Sequence, residues 1–336
     1  MSDRLRLGIL DANDGGHRGK YIDYARQVLD ADVLVSLVPP GASGIATRWA
    51  WARAAWSLAR RCDALLFTTG DPFLFLMPLL RLTGCRQVYI VHRESRFITG
   101  GQVWLRAWRS LARGTLLHVN AGLDPALARA FPHARRMVLT DPLSPAFLAM
   151  PPRRRGDASD ERTIGVIGGS RESRCVDALV RAVEEMQRRR LGPRVVVQLL
   201  NVSGVDTLAA HPNVVCRRAS LEADAAFARE VRGFDVYWAV RRESGSYFSS
   251  TVIEAMSVGV PAAIQANEWS ADASRDCAAC AAVDTNDIGT IADELSRLLG
   301  LSDTTLADLA ASVRRVHAIG PFELTLRSAL APKQGN

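Results

Sequence analysis

The sequence predicts an α/β protein built from two doubly wound, Rossmann-like domains that face each other across a cleft. Three observations carry this expectation. Short apolar runs alternate with stretches of helical periodicity along nearly the whole chain. The alternation breaks once, in a polar segment over 142–161 rich in Pro and charge, and then restarts. At 336 residues the chain also exceeds what one core comfortably holds, which suggests two domains of roughly 150–200 residues each. The expected domains are 1–150 and 151–336.

In order, the first half opens with an apolar strand over 5–10, a Gly-rich turn over 11–17 and a helix over 21–29 with Ile22, Ala25 and Val28 on one face. A strand over 33–38 is stopped by Pro39, Pro40 and Gly41. A helix over 46–61, strands over 64–68 and 87–91, a helix over 103–113 and a strand over 116–119 follow. The second half has strands over 163–167, 195–200, 214–216, 235–240 and 262–265. Its helices fall over 176–190, 222–231, 249–257, 288–299 and 304–317. Strand and helix in alternation imply parallel sheets covered on both faces, with ligands beyond the carboxyl ends of the strands.

At 48% hydrophobic and 23% charged, the chain is not of the disordered class. Its net charge of +7 sits in the first half, where residues 1–150 hold 19 Lys+Arg against 11 Asp+Glu. Only Lys20 and Lys333 are lysines, and arginine suits bidentate contact with phosphate, although a GC-rich genome gives the same bias. Of the six cysteines, Cys277 and Cys280 form a lone C-x-x-C without a second ligand pair, so buried free thiols in a reducing cytosol are expected. Met1 to Arg6 leads straight into an apolar strand, and no apolar run approaches the roughly 20 residues that span a bilayer. A cytoplasmic location is expected. No nucleic-acid recognition motif and no metal-binding His-x-x-x-His pattern is present, and no metal and no cofactor are expected.

The segment over 235–261 carries the most chemistry. A strand leaves the core near Val240, a polar loop with Gly245 follows, and a helix begins near Ser249 or Ser250. A helix start offers unpaired N–H groups and a positive dipole end, which attract phosphate. Ser249, Ser250 and Thr251 are placed there, and Glu254, one turn inside, is suited to accept from ribose hydroxyls. Gly259-Val-Pro261 stops the helix. This run resembles the donor-site signature of retaining GT-B glycosyltransferases of the group-1, family-4 kind. That signature runs through an acidic residue, seven further residues and then a Glu that is followed by Ala-Met and Gly-x-Pro. Glu254-Ala-Met256 and Gly259-Val-Pro261 match it, while the first acidic position falls on Ser246. Glu243, three residues earlier, is the acidic side chain able to reach the same space through a re-shaped loop.

The family also carries Gly-Arg, four residues and Lys-Gly at the opening of the second domain, where the two cations clamp the diphosphate. In Ile164-Gly-Val-Ile-Gly-Gly-Ser-Arg-Glu-Ser-Arg174, Arg174 falls on the Lys position, and Arg171 stands two residues after the Arg position. The resemblance gives both the task of stabilising the leaving diphosphate. After the first strand, Gly15, Gly16 and His17 form a Gly-rich turn that lets backbone approach a ligand. The resemblance puts this turn at the cleft. His92 ends the strand over 87–91, where related enzymes hold a His near the transferred sugar.

Two stretches interleave Trp and Arg: 47–61, with Trp49, Trp51 and Trp56, and 102–113, with Trp104 and Trp108. Such a pattern suits the edge of an anionic bilayer, or helices that pack Trp inward and display Arg outward. The resemblance therefore implies a metal-independent, retaining glycosyltransferase that uses a UDP- or GDP-type nucleotide sugar. Its partners would be a glycan or lipid-linked acceptor in surface polysaccharide synthesis and an anionic membrane surface, with the chain peripheral on the inner membrane face. A nucleotide-sugar epimerase of GT-B shape and a non-catalytic nucleotide-sugar-binding protein are the alternatives, the latter favoured by Ser246.

Overall fold

The computed structural model describes residues 4–11, 17–29, 31–37, 45–92, 95–119, 121–154, 161–221, 224–242, 250–266 and 277–331. These residues form two compact units. The first holds 4–142 together with 318–331, and the second holds 143–242 and 250–317.

The first unit is a sheet of six parallel strands: β1 (Leu5–Asp11), β2 (Ala31–Leu37), β3 (Ala64–Phe67), β4 (Arg86–Val91), β5 (Thr115–His118) and β6 (Arg135–Val138). Their order is β2-β1-β3-β4-β5-β6. Side chains alternate between two apolar layers, as the two-residue period of a strand demands. Leu7, Ile9, Leu66, Val88 and Ile90 enter one layer. Leu10, Leu65, Phe67, Tyr89 and Val91 enter the other. Helix α1 (His17–Val28) covers the first layer. Helix α2 (Ile45–Ala59), a 3-10 segment (Asp71–Leu76) and α3 (Met77–Leu80) cover the second. The short helices α4 (Arg96–Thr99), α5 (Val103–Ser110) and α6 (Asp124–Ala130) complete this side.

The second unit repeats the plan with β7 (Glu161–Ile167), β8 (Arg194–Leu200), β9 (Val214–Arg217), β10 (Val236–Trp238), β11 (Ala262–Gln265) and β12 (Cys280–Val283). All pairs are parallel, in the order β12-β11-β10-β7-β8-β9. This is the dinucleotide-fold strand order, with its reversal between β7 and β10. Its helices are α7 (Pro145–Ala149), α8 (Val176–Arg189), α9 (Asp224–Arg232), α10 (Ser250–Ser257), α11 (Ile288–Leu299) and α12 (Asp303–Val316). Caps fix two of the starts: Asp287 accepts from the Thr290 N–H and Ser302 from the Thr305 N–H.

The two-sheet α/β fold is as the sequence predicts. The structure adds the 3-10 segment and the short helices α3, α4, α6 and α7, and three further elements for each of which there is a physical reason. Strands β6 and β12 are outermost in their sheets, so Arg135–Val138 lacks the doubly buried apolar run of an inner strand, and Cys280–Val283 is short and Ala-rich. The third is α13 (Ile319–Leu330), whose Gly320 and Pro321 read as a break. They occupy its first turn, where a missing N–H costs nothing. Phe322, Leu326 and Leu330 of this helix are buried in the layer that holds α1, so the last helix belongs to the first unit and not with 151–317.

The start of the expected linker is tied to the second unit. The Arg153 N–H donates to the Val258 carbonyl at 2.8 Å, and its guanidinium meets buried Asp235 at 3.0 Å. Residues 155–160 lie outside the described set.

All six cysteines are free thiols, and no metal-binding group of three or more His, Cys, Asp or Glu side chains occurs among the described residues. Burial, with a smaller contribution from Cys277, pushes the Cys280 thiol from 9.0 up to about 12. The folded state thus keeps a proton that the unfolded chain releases above about pH 9, and stability falls as pH rises through that window. Denaturant titrations between roughly pH 8 and pH 10 are expected to show a shallower fall in Cys280→Ala than in wild type, by up to about 1.4 kcal/mol per pH unit.

Candidate active site

In the second unit the strand order reverses between β7 and β10, and the two sequence motifs follow these two strands. After β7 the chain turns through Gly168 and Gly169, at φ +61° and +81°, a region that favours glycine. The turn is held from several sides. The Gly168 N–H donates to the Leu200 carbonyl, and the Ser203 N–H to the Gly169 carbonyl, both at 2.9 Å. The Ser170 N–H donates to Ser173 Oγ at 2.9 Å, and the Arg242 N–H, beyond β10, to the Ser173 carbonyl at 3.1 Å. The Trp238 indole, fully buried in β10, donates to the Arg174 carbonyl at 2.8 Å.

The two expected phosphate clamps have different surroundings. Arg174 is only 7% exposed and braces the turn from within. Its Nε donates to the Gly168 carbonyl at 2.9 Å and Nη2 to the Ile167 carbonyl at 2.6 Å. Arg171 is more open, but its guanidinium is paired with Asp177 in the first turn of α8 at 2.6 Å and donates to Thr207 Oγ1, also at 2.6 Å. Cys175 stands where the resemblance has Gly. It takes φ +50°, the left-handed region that costs a non-glycine residue strain, and it is the N-cap of α8.

Helix α10 begins at Ser250, as the sequence suggests. Thr251 Oγ1 lies 3.1 Å from the Tyr237 hydroxyl, which donates to it from β10. Glu254 is buried one turn in, at 3% exposure. Gly259 ends the helix at φ +76°, with the Val260 N–H returning to the Ala255 carbonyl at 3.0 Å, so this stop requires a glycine. Ser249, Glu243 and Ser246 lie outside the described residues.

The first unit has a second polar assembly, again beyond the carboxyl ends of its strands. His92 follows β4. Its Nε2 lies 2.9 Å from the Thr68 carbonyl, so that nitrogen carries the proton, and its backbone N–H donates to Asp71 at 3.3 Å. The ring lies 5.6 Å from that of Tyr21, whose hydroxyl donates to buried Asp141 at 2.9 Å. Asp11, at the end of β1 and fully buried, accepts from Thr69 Oγ1 at 2.9 Å and from the Thr68 hydroxyl. Sequence reasoning reached only His92 here. Asp11, Thr68, Thr69, Asp71 and Asp141 carry no motif, and their shared signal is position, each at or just beyond a strand end. His17 begins α1, while Gly15 and Gly16 lie outside the described residues.

The fold assembled this way is that of the GT-B glycosyltransferases, two Rossmann-like domains in one chain. Among solved structures it is similar to Anabaena HepE in complex with UDP-glucose, with a TM-score of 0.65 and 13% identity over 97% of this chain and 99% of that one. A glycosyltransferase from Rickettsia africae gives a TM-score of 0.68 at 9% identity, covering 99% and 100%. WaaG, a glycosyltransferase involved in lipopolysaccharide biosynthesis, gives 0.61 at 12% identity, covering 98% and 100%. At such identities the likeness is one of fold. No family model and no curated protein sequence matches the chain.

Because Arg174 satisfies two carbonyls at the turn, its removal acts on stability. Arg174→Met is expected to lower the unfolding free energy by about 2–4 kcal/mol, the scale for orphaned buried polar groups. Urea denaturation of the full chain checks this.

Proposed function

We propose that this chain is a glycosyltransferase that moves a sugar from a UDP- or GDP-type nucleotide sugar to a glycan or lipid-linked acceptor of surface polysaccharide synthesis. In this reading the second unit binds the donor and the first unit the acceptor. The observation that carries the reading is the reversal point of the second sheet, where the Gly168–Arg174 turn, the start of α10 and buried Glu254 follow β7 and β10. Backbone N–H groups at Ser250 and Thr251 would hold the diphosphate, with the helix dipole adding to the attraction. Glu254 would accept the ribose hydroxyls, and Ser249, Ser246 and Glu243 would complete the donor side. Arg171 would turn from Asp177 to the diphosphate and take up the charge of the leaving group.

On the acceptor side, His92 would face the transferred sugar, with its ring fixed by the Thr68 carbonyl and Tyr21. The turn at Gly15, Gly16 and His17 would meet the sugar from β1. Transfer with retention follows from the donor-site resemblance. Arginine in place of a metal ion makes the reaction independent of divalent cations.

Isothermal titration with UDP and with GDP tests the donor site. Binding is expected for one of them, weakened at least roughly tenfold in Glu254→Ala, which is about 1.4 kcal/mol. Unchanged affinity in Glu254→Ala would remove that residue from the site, and no binding of any nucleoside diphosphate would sink the reading. In a transfer assay, EDTA is expected to leave the rate unchanged, and a loss restored by manganese or magnesium would contradict the arginine role.

A further inference from the structure

The first unit carries tryptophan and arginine that the proposed donor and acceptor sites do not use. In α2, Ala55, Leu58 and Ala59 are buried against the sheet. Trp49 is nevertheless 72% exposed and Trp56 38%. Facing them, the 3-10 segment and α3 present Leu76, Leu79 and Leu80. Between the two walls lies a groove of about 940 Å³, within the size range of ligand pockets.

Arg53, Arg60 and Arg61 also line this groove. None of their guanidinium groups makes a hydrogen bond or ion pair with a described residue, whereas those of Arg153, Arg171 and Arg189 of the second unit all meet carboxylates. The sequence from 42 to 62 contains no Asp or Glu.

The second Trp- and Arg-rich stretch comes to the same place. The Trp108 indole of α5 donates to the Phe75 carbonyl at 2.9 Å, and the Arg48 guanidinium of α2 stands 6.0 Å from the Phe75 ring. Both helices therefore flank the 3-10 segment. Buried Arg109 of α5 is structural and donates to the Gly100 carbonyl at 2.8 Å. Val103 and Trp104 at the start of α5 remain 81% and 64% exposed. The two sequence readings of these stretches thus divide by residue: Trp51, Trp108 and Arg109 face inward, and Trp49, Trp56 and Trp104 face out.

We propose that the groove between α2 and α3 is a lipid-binding site that docks the first unit on an anionic phospholipid leaflet, with one hydrocarbon chain in the groove and phosphates on Arg53, Arg60 and Arg61. The occupant follows from complementarity. Guanidinium groups without carboxylate partners call for phosphate, the apolar walls call for hydrocarbon, and exposed indoles beside them suit the headgroup level. A phospholipid joins all three at this spacing. No described helix is long and apolar enough to cross a membrane, so the contact is peripheral.

The test is co-sedimentation of the full chain with vesicles of phosphatidylglycerol and phosphatidylcholine, and with vesicles of phosphatidylcholine alone. Ala50→Glu puts a carboxylate on an exposed lining position, and a triple Arg53→Gln, Arg60→Gln, Arg61→Gln variant removes the cations. Wild type is expected to sediment far more with the anionic vesicles than with phosphatidylcholine alone, and less as salt rises but never to zero, because the apolar contact is unscreened. Both variants should partition roughly tenfold more weakly or worse. Brominated phosphatidylglycerol chains should quench the tryptophan fluorescence of wild type and not of Ala50→Glu. Melting temperature and titration with whichever of UDP and GDP binds wild type should match wild type in both variants, which separates this outcome from misfolding and from failure of the donor site. Wild type left in the supernatant at low salt would overturn the proposal, as would Ala50→Glu sedimenting like wild type. Self-association abolished by Ala50→Glu would assign the groove to a second copy of the chain and overturn it as well.

Discussion

A parallel strand covered by helices on both faces has no polar side along its length, and this constraint shapes both units. Leu7, Ile9, Leu10, Leu65, Leu66, Val88 and Ile90 are fully buried, whichever face they take. Among the described residues, several of the buried polar groups lie where strands end. Asp11 closes β1, Thr68 and Thr69 follow β3, His92 follows β4 and the Gly168 turn follows β7. Backbone groups unpaired at these ends must be satisfied locally or by a ligand. The chemistry of the chain is therefore gathered at the carboxyl ends by the same burial that stabilises its sheets.

How the ends are satisfied differs between the units. In the second, a guanidinium inside the turn takes up the carbonyls of Ile167 and Gly168, and the Trp238 indole takes the carbonyl of Arg174 itself. The turn is thus held by the protein itself, and in the proposed donor site this would lower the ordering cost of binding. Arg174 contributes its charge from behind the turn. Arg171, more exposed and held by Asp177, is the guanidinium able to move. In the first unit, carboxylates do the corresponding work. Asp11 collects two hydroxyls, Asp71 a backbone N–H and Asp141 the Tyr21 hydroxyl. The half of the sequence with the net positive charge thus has acidic groups at its strand ends.

The sequence was most informative where one residue type answers one local demand. Gly259 was readable as a helix stop because the left-handed backbone there tolerates little else, and the start of α10 was readable from Ser250 and Thr251 before an apolar run. Buried strands announced themselves as apolar runs. The edge strand β6 did not, because its half-exposed residues leave no such run, and β12, though buried, is short and Ala-rich. The Asp11, Thr68, Thr69, Asp71 and Asp141 assembly was invisible because its members are scattered from residue 11 to 141 and only parallel pairing aligns their strand ends.

By itself, then, the amino-acid order determined the inner strands, the longer amphipathic helices and the two-sheet α/β plan, since burial periodicity, helix stops and breaks are local properties of a few consecutive residues. Tertiary structure decided what those residues face. It turned Arg174 inward to carbonyls it follows by six and seven positions, and it set Arg171 against Asp177. It returned the last helix to the first sheet, and it sorted five tryptophans into inward and outward sets around Phe75. The direction of a side chain depends on neighbours brought close by the fold, and those neighbours are not adjacent in the sequence.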